Sequence, residues 1–110
     1  MTDLEYLERA ESLLAGVEQQ CDAINERTSA DIDCQRAGGM LTLALGARGQ
    51  IVISLQKPLH EVWLAARTGG YHYRFDGSAW RDTKSGEAFY ARLSASVSEH
   101  AGMALEFVQD

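Results

Sequence analysis

Basic residues are scarce in this chain. Ten Lys and Arg stand against sixteen Asp and Glu, for a net charge of −6. That balance works against binding a phosphate backbone, which needs cationic side chains to displace counterions. It favours cations, or a basic surface on another protein. Cysteine is nearly absent: Cys21 and Cys34 make neither a disulfide framework nor a CxxC metal-ligand pair. A reducing cytoplasm is the compartment expected of such usage. No apolar run approaches the roughly 18–20 residues that span a bilayer, so no membrane contact is expected. The start, MTDLEYLERAES, lacks the basic-then-apolar order of a secretory leader. No serine sits in a nucleophile elbow, the glycine pairs lack a phosphate-loop pattern, and no catalytic residue is expected. No repeat, linker or low-complexity segment interrupts residues 1–110, which read as one domain.

The single proline, Pro58, is informative by position. Proline cannot sit in a central strand because it has no N–H for the ladder. It therefore separates a strand at 51–55 (IVISL) from another at 61–66. In the second, Val62 and Leu64 share one face and Trp63 takes the other. If Val62 and Leu64 line the core, Trp63 stands on the open face, covered by a neighbouring side chain or by a partner protein.

Residues 3–27 read as a helix capped by Thr2 or Asp3, with Asp3 and Glu5 at the positive end of its dipole. At about 100° per residue, Tyr6, Ala10, Leu13, Leu14, Val17, Cys21 and Ile24 form the core face. Glu8, Glu11, Glu18, Asp22 and Glu26 gather within roughly 80° of one another beside it. From Asp31 the period becomes two. In 31–36, Ile32 and Cys34 share one face, Asp31 and Asp33 the other. Strands are expected at 41–45, 51–55, 61–66, 71–75 and 79–82, with breaks at Gly38-Gly39, 46–49, Gly69-Gly70 and Asp76-Gly77. Ser85 is expected to cap a second helix from about Gly86 to Ala101, burying Phe89, Tyr90, Leu93, Val97 and Ala101. Gly102 stops it, and Leu105 and Phe107 pack back on the domain. The fold class is α+β: a two-layer sandwich with two terminal helices on one face of an antiparallel sheet of about six strands.

Acids on one helix face are ordinarily just solvated. Here they continue into the first strand through Asp31 and Asp33, with few bases interspersed. Carboxylates suit hard cations such as iron, manganese, magnesium or calcium. Spaced i, i+3 and i+4 on a surface, they make shared, weak sites, not a cage. His60, His72 and His100 form no zinc motif and read as ordinary polar or capping residues. Cys21 and Cys34 read as small apolar core residues.

At this point the chain resembles the frataxin family, in its bacterial branch. The segments that carry the resemblance are DIDC at 31–34, GGMLTL at 38–43, QKPLHEVWLA at 56–65, GGYHY at 69–73 and SGE at 85–87. The signature residues are Gln56, Pro58, Trp63 and Leu64. The resemblance implies an iron-binding accessory protein of iron–sulfur cluster assembly. It would bind Fe2+ or Fe3+ weakly on an acidic ridge and dock on cysteine desulfurase and the scaffold machinery to regulate assembly rate. The ridge would be Glu8, Glu11, Glu18, Asp22, Glu26, Asp31 and Asp33. Partner contact would fall to Glu18, Asp22, Asp31, Asp33 and Trp63. A monomer is expected, with metal-induced oligomers as an alternative. The chain departs from the family in having only Glu26 acidic within 23–30, and Ser54 where asparagine is common. Two other readings stand beside this one: a ferroxidase or iron-storage assembly, and a plain interaction domain with incidental metal affinity.

Overall fold

The computed structural model describes residues 1–109; Asp110 lies outside the described residues. The chain runs α1 (Asp3–Arg27), β1 (Asp33–Ala37), β2 (Met40–Ala44), β3 (Gln50–Gln56), β4 (Glu61–Ala66), β5 (Gly69–Phe75), β6 (Trp80–Asp82) and α2 (Phe89–Ala101). The strands form one antiparallel six-stranded sheet in sequence order. Short connections permit only this meander. Both helices bury their apolar stripes on one face of it.

Thr2 caps α1 reciprocally. Its hydroxyl accepts from the Glu5 amide, and the Glu5 carboxylate accepts from the Thr2 amide, each at 3.1 Å. The stripe buried by α1 is Tyr6, Ala10, Leu13, Leu14, Val17, Cys21 and Ile24, as the 3.6-residue period predicts. Opposite it lie Leu41, Leu43, Ile51, Ile53, Val62, Leu64 and Tyr73, alternate residues of the inner strands. Pro58 sits in a single 3-10 turn, Lys57–Leu59, closed by His60 in the left-handed region. Leu105 and Phe107 are buried, and the tail is tied to α2. Ser94 Oγ accepts from the Phe107 amide at 2.8 Å, and Ser98 Oγ from the Leu105 amide at 2.9 Å.

Beyond one-residue shifts at strand ends, three boundaries differ from the sequence reading. The first strand starts at Asp33, not Asp31, because the Asn25 side chain takes both the amide and the carbonyl of Ile32, each at 2.8 Å. Asp31, at φ 53°, turns the chain before the ladder begins. Gly69 and Gly70 do not break the sheet. They pair with Ala66 and Ala65, so the turn falls on Arg67-Thr68. The second helix starts at Phe89 behind Ala88, with no side-chain cap. Ser85 instead belongs to a tight turn in which Asp82 accepts from the Lys84 and Ser85 amides, and Ser85 Oγ accepts from the Glu87 amide. Of the residues expected in its stripe, Tyr90 is only partly buried, while Ser96 and His100 are buried as well. His100 earns its place by two hydrogen bonds. The Arg67 amide donates to Nε2, which leaves Nδ1–H to donate to the Arg48 carbonyl at 2.9 Å.

Candidate functional site

The helical period sets Glu8, Glu11, Glu18, Asp22 and Glu26 along one edge of α1, beside the buried stripe. The Asn25 clamp then seats the start of β1 against the last turns of that helix. Cys34 and Arg36 pair with Leu43 and Leu41, so they occupy the helix-facing side of β1. Asp33 and Gln35 take the opposite face, and Gln35 Nε2 lies 3.3 Å from an Asp33 carboxylate oxygen. β1 is an edge strand. The acids of helix and strand therefore lie along one rim.

Arg36 enters this rim from the strand. Its guanidinium bonds the Glu11 carboxylate and lies 3.6 Å from Glu18. Few bases were expected among the acids, and this one joins two of them across the α1–β1 seam. These acids in turn raise the pKa of the guanidinium, the Glu11 hydrogen bond first. The Cys34 thiol is held below its usual range by Cys21, against burial and the charges of Glu18, Asp22 and Asp33, which push it up. Hydrogen bonding to Cys34 and then burial push the Cys21 thiol up. Glu8, Glu26 and Asp31 are exposed, and among the described residues they make no ion pair. Cys34 itself is half-buried and packs against the core.

Among the described residues, no three His, Cys, Asp or Glu side chains converge so as to hold a metal ion. The donor chemistry fits a hard cation, and the spacing fits one or two carboxylates at a time with water completing the shell.

The open face of the sheet carries a second group of polar side chains. Trp63 is half-buried there, and a neighbour covers it: its indole stacks on His72, with centroids 4.2 Å apart and planes 6° from parallel. Its Nε1–H donates to Glu61 Oε1 at 2.8 Å, and Arg74 Nε donates to Glu61 Oε2 at 2.9 Å. Glu61 is only 6% exposed. A buried carboxylate is tolerated only when its lone pairs are used, and here an indole and a guanidinium use them. His72 Nδ1 lies 3.7 Å from the same carboxylate. The sequence reading named Trp63 but not Glu61, His72 or Arg74 as its neighbours. The spacing of Glu61 and Trp63 signals a shared face, but the other two depend on strand register.

A groove of about 620 Å3 opens on the other flank of α1, between Leu13, Gly16, Phe75, Tyr90 and Phe107. None of the rim carboxylates lines it. His60 is structural: it stacks on Tyr6 and bonds Asp3 at 2.8 Å, and this bond holds the Asp3 carboxyl below its usual range.

An open six-stranded meander backed by its two terminal helices, with acids along the helix–edge-strand seam, is a frataxin-type α+β domain. A profile of the Frataxin-like domain matches residues 1–103, and the chain belongs to the frataxin family. The iron-sulfur cluster assembly protein CyaY of Variovorax paradoxus is 59% identical over 107 residues, covering 97% of each chain. That of Verminephrobacter eiseniae is 60% identical, covering 97% of this chain and 98% of its own. Among solved structures, the frataxin of Psychromonas ingrahamii superposes with a TM-score of 0.85 at 33% identity, over 99% of this chain and 100% of its own. A trimeric yeast frataxin complexed with ferrous iron shares the fold, with a TM-score of 0.74 at 23% identity, over 84% of this chain and 85% of its own.

Proposed function

We propose that this protein is an iron-binding accessory of iron–sulfur cluster assembly that acts as a single cytoplasmic domain and regulates without catalysing. Its relatives named for cluster assembly, near 60% identity across almost the whole chain, support that role. Iron, ferrous or ferric, binds weakly to the rim acids Glu8, Glu11, Glu18, Asp22, Glu26, Asp31 and Asp33. Glu18, Asp22, Asp31, Asp33 and Trp63 meet a basic surface of cysteine desulfurase. The observation that carries the reading is the continuity of charge from α1 onto the edge strand β1. Arg36 offsets part of that charge at Glu11 and Glu18. Asp22 and Asp33 keep theirs, and they flank the seam. Weak coordination by one or two carboxylates suits a protein that samples or passes on iron and does not store it.

The test is the double reversal Glu18→Lys with Asp22→Lys, measured against cysteine desulfurase. Docking on the rim predicts a loss of affinity of about tenfold or more, diminishing as salt rises. Unchanged affinity at low salt, with the fold intact by circular dichroism, would refute rim docking.

A further inference from the structure

Two thiols remain outside the metal and docking chemistry. Cys21 belongs to the core stripe of α1 and is fully buried. Cys34 stands half-buried on the helix-facing side of β1. Asn25 lies one helical turn beyond Cys21, and its side chain holds the amide and the carbonyl of Ile32. Cys34 is two residues beyond Ile32 and so points to the same side of the strand. The clamp that seats β1 on α1 thus brings the two thiols together. Both are free, and both face the core from the two sides of the α1–β1 seam. β1 has no neighbour beyond it, so solvent reaches this seam from the sheet edge.

We propose that Cys21 and Cys34 are a peroxide-oxidised dithiol, a modification site built into the α1–β1 seam. The co-reactant is hydrogen peroxide or an organic hydroperoxide. The Cys34 sulfur, the more accessible of the two, attacks one peroxide oxygen. An S–O bond forms, the O–O bond breaks, and the thiol proton leaves with the departing oxygen as water or an alcohol. The Cys21 sulfur then attacks the Cys34 sulfenic acid. The S–S bond forms, the S–O bond breaks, and the Cys21 proton leaves with the hydroxyl as water. The pair loses two electrons and one peroxide is reduced. Burial of Cys21 protects it from direct attack, and its place across the seam from Cys34 makes it the resolving thiol. Nothing in this chemistry depends on the partner proposed for the rim. The cross-link would tie helix to edge strand between Asp22 and Asp33 and restrict the unfolded chain, so the oxidised protein should melt at a higher temperature.

The experiment uses the full, reduced chain and hydrogen peroxide in modest excess. Remaining thiols are labelled with a maleimide after denaturation and counted by intact mass. Both labels should be lost together in a species that stays monomeric without reductant, yields a linked Cys21–Cys34 peptide and regains both labels after dithiothreitol. In Cys21→Ser, Cys34 should stop at a sulfenic acid that dimedone traps. In Cys34→Ser, Cys21 should keep its label. Retention of both labels in the unmutated protein would overturn the proposal, as would over-oxidation of Cys34 beside a free Cys21, or a disulfide between two chains. Equal loss of the Cys21 label in Cys34→Ser would overturn the assignment of Cys34 as the attacking thiol.

Discussion

Replacing Arg36 by glutamine removes the cation that the fold inserts between Glu11 and Glu18, and it sets two effects against each other. The first is stability. Side-chain exposure is 27% for Arg36, 48% for Glu11 and 38% for Glu18, and ion pairs in such settings contribute about 0–1 kcal/mol. The variant should therefore fold, with a melting temperature lower by at most a few degrees. The second is repulsion of any cation held on the rim. At about 7 Å in water, a unit positive charge repels a divalent ion by about 1.2 kcal/mol before screening. A Debye length of about 8 Å at physiological salt cuts this to about 0.5 kcal/mol, and one of about 30 Å at 0.01 M leaves about 0.9 kcal/mol. Arg36→Gln should thus bind a divalent cation about twofold more tightly at physiological salt and about fivefold more tightly at low salt. Calorimetric titration with manganous ion, which avoids the oxidation of ferrous iron, reads both values. Equal or weaker binding by a folded Arg36→Gln at low salt would refute the idea that the rim acts through its summed charge.

Two further perturbations test how the domain is held. Phe107 is 3% exposed and anchors the tail against α2; Phe107→Ala should cost about 3 kcal/mol, lowering the thermal midpoint by about 10–20 °C, and a shift under a few degrees would mean the tail does not close the core. Asp76 accepts hydrogen bonds from the Ala79 and Ser78 amides, the Ser78 hydroxyl and Arg81, which hold its carboxyl well below the usual carboxylate range. With the folded pKa below the unfolded one, the unfolded chain binds more protons in acid; the stabilisation is complete above about pH 4 and fades as pH falls toward the native value. Denaturant melts of Asp76→Asn against pH should therefore show a shallower acid limb than the unmutated protein, and an identical limb would contradict the assignment.

What could be read along the chain was what depends on neighbours in sequence. The buried stripe of α1 and the row of acids beside it both follow from a 3.6-residue period and need no knowledge of the fold. The strands near Pro58 were legible because proline excludes itself from a ladder. Most of what escaped depends on partners far away in the chain, and the rest on competing local turns. Arg36 lies two residues beyond Cys34 and so on the face the alternation already turned inward, but its reach to Glu11 needs the packing of β1 against α1. Glu61, Trp63, His72 and Arg74 meet through the register of β4 on β5. Gly69 and Gly70 carry a turn signal but lie in the ladder, because Arg67 and Thr68 make the turn. Ser85 carries a helix-cap signal, yet Asp82 draws it into a turn before the helix begins.

The claim on which the rest depends is that metal and desulfurase meet the same α1–β1 rim. Backbone amide spectra of the labelled protein, titrated anaerobically with ferrous iron and separately with cysteine desulfurase, test it directly. The account predicts that the amides of Glu18, Asp22 and Asp33 and their neighbours change first in both titrations, and that the footprints overlap there. Iron perturbing the open face around Trp63 and His72 while the rim stays silent, or two footprints with no residues in common, would contradict it.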